Sequence, residues 1–399
     1  MSKIESFSLG GEVMKKKGLV LLGALGLVLG VASCQQETFE YALITDVGDI
    51  DDESFNQTSW EALRDFAQEN DKTYQYYRPT EDSTAARLVS IEQAVQRGAK
   101  IVVCPGYLFE DAVYEAQTRY PEVKFVLIDG QPHSAGTEDN PAVYDTADNT
   151  VSVIFKEEIS GFLAGYAAVM NGNTKLGFCG GMAVPAVQRF GSGFIQGADY
   201  AATQLELAQD TIELRYYYAG QFAATPEATA KMQSWYAAGI ETIFASGGKV
   251  YQSVETACDE TTNGTWIGVD TDQSSVDERV LTSAIKGLRE SVLSALEVYN
   301  NDEWSTIGGE DYTLGLASTF GELEARDYVG IPTDDDVWAR FEQYKKGENS
   351  FTKTQYEKVL QDIKDKTVSI SDIITEAPTT TNFDVTYESS FVASTSTAE

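Results

Sequence analysis

Short apolar runs alternate with amphipathic segments along most of this chain, and that alternation constrains its fold more than any other feature. YALIT, TYQYYRP, AKIVVCPG, KFVLIDG, TKLGFCGG, TIELRYYYAG, ETIFASGG and TWIGVD read as strands. Between them lie helical patterns such as SWEALRDFAQEN, TAARLVSIEQAVQRGA and ATAKMQSWYAAGI. Strands separated by helices of that length assemble as βαβ units, so the sheets are expected to be parallel. Four strands precede an apolar helix expected over about 153–170, and four follow it. LTSAIKGLRESVLSALEVYN reads as a return strand plus helix, and YTLGLASTFG as another strand crossing back. The expected architecture is α/β, with two Rossmann-like lobes joined by a hinge. Lobe 1 takes 35–152 plus about 285–320, and lobe 2 takes 153–284 plus part of 321–377. PTDDDVWARFEQYKKGENS and TKTQYEKVLQDIKDKT read as two late helices, and 378–399 as a tail that is either flexible or laid on a lobe. Ligand belongs between the lobes, against the carboxyl ends of both sheets.

Residues 1–34 form no part of that fold. From Met14, the expected translation start, the chain reads MKKKGLVLLGALGLVLGVASC: lysines, a short apolar run and small residues. This is a cleavable signal. Val31-Ala32-Ser33-Cys34 resembles a bacterial lipobox, in which the Cys34 thiol takes a diacylglyceryl group and becomes the mature N-terminus. Two acyl chains anchor stably, at roughly 0.8 kcal/mol per buried methylene. The alternative is a plain secretory signal with an incidental Cys.

Charge and composition exclude several classes. The 399 residues include 62 acidic against 29 basic ones, a formal net charge of −33, which repels phosphate backbones and argues against a nucleic-acid partner. Cys104, Cys179 and Cys258 are widely spaced and end no disulfide framework; Cys104 and Cys179 close apolar runs and read as small buried hydrophobes. The single His, His133, lies in the turn GQPHSAG and supports no Ser–His–Asp apparatus. The acid run Asp46, Asp49, Asp51 and Asp52 lacks calcium-loop spacing, and FASGGKV and GSGFIQGA lack the spacing or context of phosphate-cradling loops. No cofactor, no metal and no catalysis are expected.

The loops at the strand ends repeat one composition of acid, Gly pair and lone aromatic: TDVGDIDDESFNQ, RPTED, CPGYLFED and IDGQPH, then GGMAVPAVQRF, YAGQFAATP, SGGKVYQ and VDTDQ. Asp46, Asp129 and Asp270 each follow an apolar run directly, so their carboxylates can face one cleft, although each also suits a helix cap or turn. Phe55 and Phe222 sit among small and polar residues and, coming from opposite lobes, can clamp a flat ring; stacking contributes roughly 1–3 kcal/mol per aromatic. Either can instead pack under its own loop.

TDVGDIDDESFNQ, FVLIDG, GFCGGMAVPAVQRFGSGFIQGA, YYAGQFAATP, and IGVDTDQ followed by SAIKG resemble the basic membrane protein family of bacterial substrate-binding lipoproteins, purine nucleoside receptor type. The likeness runs from about Phe39 to Gly321. It implies a type I periplasmic-binding-protein fold and a monomeric receptor held to the membrane by its lipid alone. Purine nucleosides (guanosine, inosine, adenosine) would be delivered to an ABC permease driven by a separate ATPase subunit. It further implies that Asp46, Phe55 and Asn56 line the first lobe's side of the site, with Phe55 on one base face and Phe222 on the other. Asp129 would bond the base edge, Asp270 and Lys286 would hold the ribose hydroxyls, and Gly247 and Gly248 would let backbone approach the ligand. Phe190 and Phe194 read as helix packing. A same-fold receptor for a sugar or signalling solute, a glycosidase or nucleoside hydrolase, and a surface adhesin or structural lipoprotein are the competing readings.

Overall fold

The computed structural model describes residues 37–46, 50–137, 140–348 and 350–392. The expected signal segment and Cys34 lie outside the described residues. The first series runs β1 (Tyr41–Ile44), α1 (Phe55–Glu69), β2 (Tyr74–Tyr77), α2 (Thr84–Gln96), β3 (Ile101–Pro105), α3 (Glu110–Arg119), β4 (Lys124–Ile128) and β5 (Thr150–Phe155). Across a one-residue link the chain enters α4 (Glu157–Met170), then β6 (Lys175–Gly180), α5 (Pro185–Gln204), β7 (Glu213–Tyr218), α6 (Pro226–Ala237), β8 (Thr242–Ser246), α7 (Tyr251–Asp259), β9 (Thr265–Asp270) and β10 (Val280–Lys286). It returns to the first lobe through α8 (Leu288–Asn300), which packs on α1, and β11 (Asp311–Leu314), which pairs with β5. A third crossing leads to β12 (Val329–Gly330), α9 (Asp335–Gln343), α10 (Lys353–Lys364) and β13 (Val385–Tyr387).

Two sheets result. The first has the order β11-β5-β4-β3-β1-β2 and the second β12-β10-β9-β8-β6-β7-β13. All pairings are parallel except β10 with β12. The central strands β1, β3, β8 and β9 are buried throughout, as parallel strands covered by helices on both faces must be. Each lobe therefore repeats the doubly wound order 2-1-3-4-5, with its topological switch between β1 and β3 in one and between β6 and β8 in the other.

Two expectations need correction, and one open alternative is decided. The apolar stretch expected to be helical from 153 is strand to Phe155 and helix only from Glu157, so the first series has five strands and the hinge follows Phe155. VSVIF is β-branched and alternates weakly, and an apolar run of that length does not distinguish strand from helix until its neighbours are known. The return to the first lobe starts at α8: β10, ending at Lys286, stays in the second sheet beside β9. The tail is laid on a lobe, with β13 added to the edge of β7.

Helices α4 and α5 approach to backbone contact. A Cβ on Gly161 or Gly165 would lie 2.1 or 2.2 Å from the carbonyl oxygen of Phe190 or Phe194, and one on Gly193 or Gly197 would lie 2.1 or 2.0 Å from that of Glu158 or Phe162. Gly193 and Gly197 of GSGFIQG thus serve helix packing, and Gly191 makes room for Tyr216 of β7, with Phe194 wholly buried and Phe190 nearly so. That crossing sets Glu157 against Arg189.

Candidate functional site

The loop after β1 is organised by one buried carboxylate. Asp52 Oδ1 accepts the Ser54 and Gln57 amides at 3.0 Å each, and its Oδ2 accepts the Asn56 amide at 3.0 Å and the Asn56 side chain at 3.1 Å. These are the first donors of α1, which have no partner within the helix. The Asn56 side chain also donates to Asp46 Oδ1 at 2.9 Å and accepts the Asp46 amide at 3.2 Å. Asn56 is thus buried and engaged as a staple between β1 and α1, while Asp46 keeps some exposure.

The aromatic residues sit at the two switch points. Phe55 begins α1, and a Cβ on Gly106, just past β3, would lie 3.9 Å from its ring. Phe222 covers the other switch: its ring lies where Cβ atoms of Gly181, after β6, and Gly247, after β8, would fall at 2.5 and 2.9 Å. Gly247 and Gly248 have φ of +124° and +49°, a region where side chains are strained, and the space they leave is filled by Phe222. Both phenylalanines are half-buried.

Asp129 follows, and Asp270 ends, the fourth strand of its lobe. They adopt left-handed φ values of +68° and +67°, which Asp tolerates better than most residues and which turn each carboxylate off its strand axis. Asp270 accepts the Ser54 hydroxyl at 2.7 Å across the lobes. Asp129 Oδ2 accepts from Lys286 Nζ at 2.9 Å, also across the lobes. Gln273 donates to the Glu53 carbonyl at 3.1 Å, and Lys249 pairs with Asp51 at 3.4 Å. These contacts draw the cleft together.

Lys286 is the centre of this junction. Its side chain is 2% exposed, with Nζ 3.2 Å from Glu157 and 5.3, 5.6 and 5.5 Å from the ring centroids of Phe55, Phe155 and Phe190. Glu157 in turn accepts Arg189 Nε at 2.5 Å. Burial opposes the charge on Lys286, but Asp129, Glu157 and Asp270 outweigh it and raise its pKa. Burial likewise disfavours the Glu157 anion, yet two cations, Lys286 and Arg189, lower its pKa. Asp129 has only a share in one cation and faces Glu157, so burial pushes it up to about 7. Its Oδ1 is buried without a hydrogen-bond partner. Burial raises Asp270 as well, against the pull of Lys286 and Ser54.

Of the residues singled out in the sequence, Asp129, Asp270, Lys286 and Phe55 converge at the junction, Phe222 with Gly247 and Gly248 forms the opposing switch, and Asn56 and Asp46 brace the first loop. Lys286, a residue type that usually points to water, is instead among the most enclosed charges. Glu157, Arg189 and Ser54 escaped sequence reasoning. One signal existed: Glu157 opens a helix that is buried nearly all round, and an acid there needs a cation. A cavity of about 380 Å³ is lined by Thr45, Ile50, Asp51, Tyr76, Arg78 and Lys249, and its lining includes none of the junction residues. His133 has Glu110 and Asp111 oxygens 3.2 Å from its two ring nitrogens and packs on Tyr144. Cys104, Cys179 and Cys258 are free and buried.

Residues 39–372 match the family described as ABC transporter substrate-binding protein PnrA-like. The chain belongs to that family, Bmp. It is a substrate-binding protein and not an enzyme. The chain is 26% identical over 367 residues to the CD4+ T-cell-stimulating antigen of Listeria innocua, covering 83% of this chain and 96% of that protein. It is 27% identical over 244 residues to a Lactococcus lactis protein named ABC transporter nucleoside-binding protein BmpA, covering 58% of this chain and 64% of that one. An ABC transporter solute-binding protein from Aeropyrum pernix superposes with a TM-score of 0.61 at 20% identity, over 83% of this chain and 87% of that one, which establishes the fold.

Proposed function

We propose that this Bmp protein is the extracytoplasmic receptor of an ABC importer for purine nucleosides, tethered through Cys34 and acting as a monomer. The observation that carries the reading is the junction itself: Phe55, Asp129, Asp270 and Lys286 meet at the carboxyl ends of both sheets. Carboxylates accept from ribose hydroxyls and ring N–H groups, Lys286 donates, and aromatic faces take a base. A phosphate would face three buried carboxylates, so a neutral nucleoside suits the site better than a nucleotide. Capture closes the lobes about the three crossings, and the closed form docks on a permease energised by its ATPase subunit.

Calorimetry with guanosine, inosine and adenosine tests this. Phe55→Ala and Asp270→Ala are each expected to weaken binding tenfold or more, 1.4 kcal/mol per decade. Affinity unchanged in both variants rejects the site. A thermal shift with sugars and none with any of the three nucleosides rejects the ligand class.

A further inference from the structure

The segment after residue 372 lies beyond the stretch that matches the family, yet it is built firmly into lobe 2. β13 pairs with β7, Val385 opposite Leu214 and Tyr387 opposite Tyr216. Phe383 and Phe391 are buried. Asp199 of α5 accepts the Thr381 and Asn382 amides at 3.0 and 2.8 Å. Glu388 accepts Trp235 Nε1 at 2.9 Å and pairs with Lys231 at 2.7 Å, both on α6.

Its last contacts bear on the end of β7. Ser389 Oγ accepts the Tyr218 amide at 2.9 Å, and the Phe391 carbonyl accepts from Gln188 at 3.0 Å and from the Tyr218 hydroxyl at 3.3 Å. The Tyr218 ring lies against Gly180, where an added Cβ would fall 2.6 Å from it. Beyond Tyr218 the chain is held by the Ala219 and Gly220 amides, which donate to Gly180 and Gly181 at 2.8 Å each, and Phe222 then covers Gly181. Gly220, Gln221, Ala223 and Ala224 around it are exposed. A turn so thinly anchored takes its order from the strand that carries it, and without β13 that strand would be held by β6 on one side alone, where a strand end opens more readily.

We infer that the C-terminal segment, through Ser389 and Phe391, is a positioning element for Phe222. The effect on affinity rests on the nucleoside reading above; the effect on local order does not. Amide hydrogen exchange on the ligand-free full chain separates them. Phe391→Ala and the milder Ser389→Ala are expected to speed exchange at 218–224 several-fold while leaving β1 and α1 unchanged, and Phe391→Leu to restore slow exchange. In inosine titrations, Phe391→Ala is expected to weaken binding at least threefold in the native background and to add nothing to Phe222→Ala, because the ring it positions is gone. Unchanged exchange at 218–224 in both variants, or losses that add in the double variant, overturns the inference. If the native chain binds no nucleoside, the nucleoside reading falls and the exchange data alone decide this one.

Discussion

Lys286 shows how a buried charge is held. Replacing it by Met keeps the volume but leaves Asp129 without its cation and Glu157 with Arg189 alone, and removing one partner of a buried ionic group costs roughly 3–5 kcal/mol. Denaturant unfolding of Lys286→Met measures it; a loss below about 1 kcal/mol counts against a charged junction. Asp129 makes a prediction in pH. Its folded pKa, raised to about 7, lies above the unfolded value of about 3.9, so the folded state holds the proton more tightly. The stability this contributes is complete below about pH 4 and is lost as pH rises through about 7. Glu158, also pushed up to about 7 by burial, acts in the same direction. The thermal midpoint is expected to fall between pH 5 and 8, and Asp129→Asn to make that fall shallower. Equal slopes in the two proteins mean that Asp129 is charged throughout.

At the scale of elements, the α4–α5 crossing has no slack. Gly197→Ala places a methyl 2.0 Å from the Phe162 carbonyl oxygen, so the helices must separate, and overpacking of this kind costs typically 1–3 kcal/mol or more. Because the same crossing sets Glu157 on Arg189, the variant is expected to lower the unfolding midpoint and weaken ligand binding together; a midpoint within a degree of native rejects the contact. The elements also show what was readable beforehand. Strand and helix alternation was legible from local periodicity, and so were the loops that reach the cleft. VSVIF was misassigned because a short apolar run carries no period of its own, and its identity depends on pairing with β4 and β11. The tail's fate was equally undetermined: Val385–Tyr387 is a strand only because β7 offers an edge.

For the molecule as a whole, cross-lobe contacts hold the cleft among the described residues, and two of them, Ser54 with Asp270 and Lys249 with Asp51, are made by side chains at the loop tips. A Ser54→Ala, Lys249→Ala double variant is expected to have a larger radius of gyration than the native chain by small-angle scattering, and to contract on nucleoside addition. Identical ligand-free curves show that these contacts do not govern closure. The amino-acid order alone was enough for two α/β lobes, for the loops at the strand ends and for the family, because periodicity, turn composition and motif order are properties of neighbouring residues. Which polar groups partner which was settled by the folded chain. Asp52 becomes the cap of α1 and Asn56 its staple, Phe222 fills the space of Gly181 and Gly247, and Lys286 is enclosed by Asp129, Glu157 and three aromatic rings. Those partnerships join residues far apart in the chain, and burial, which makes an unpaired charge costly, is a property only the assembled lobes possess.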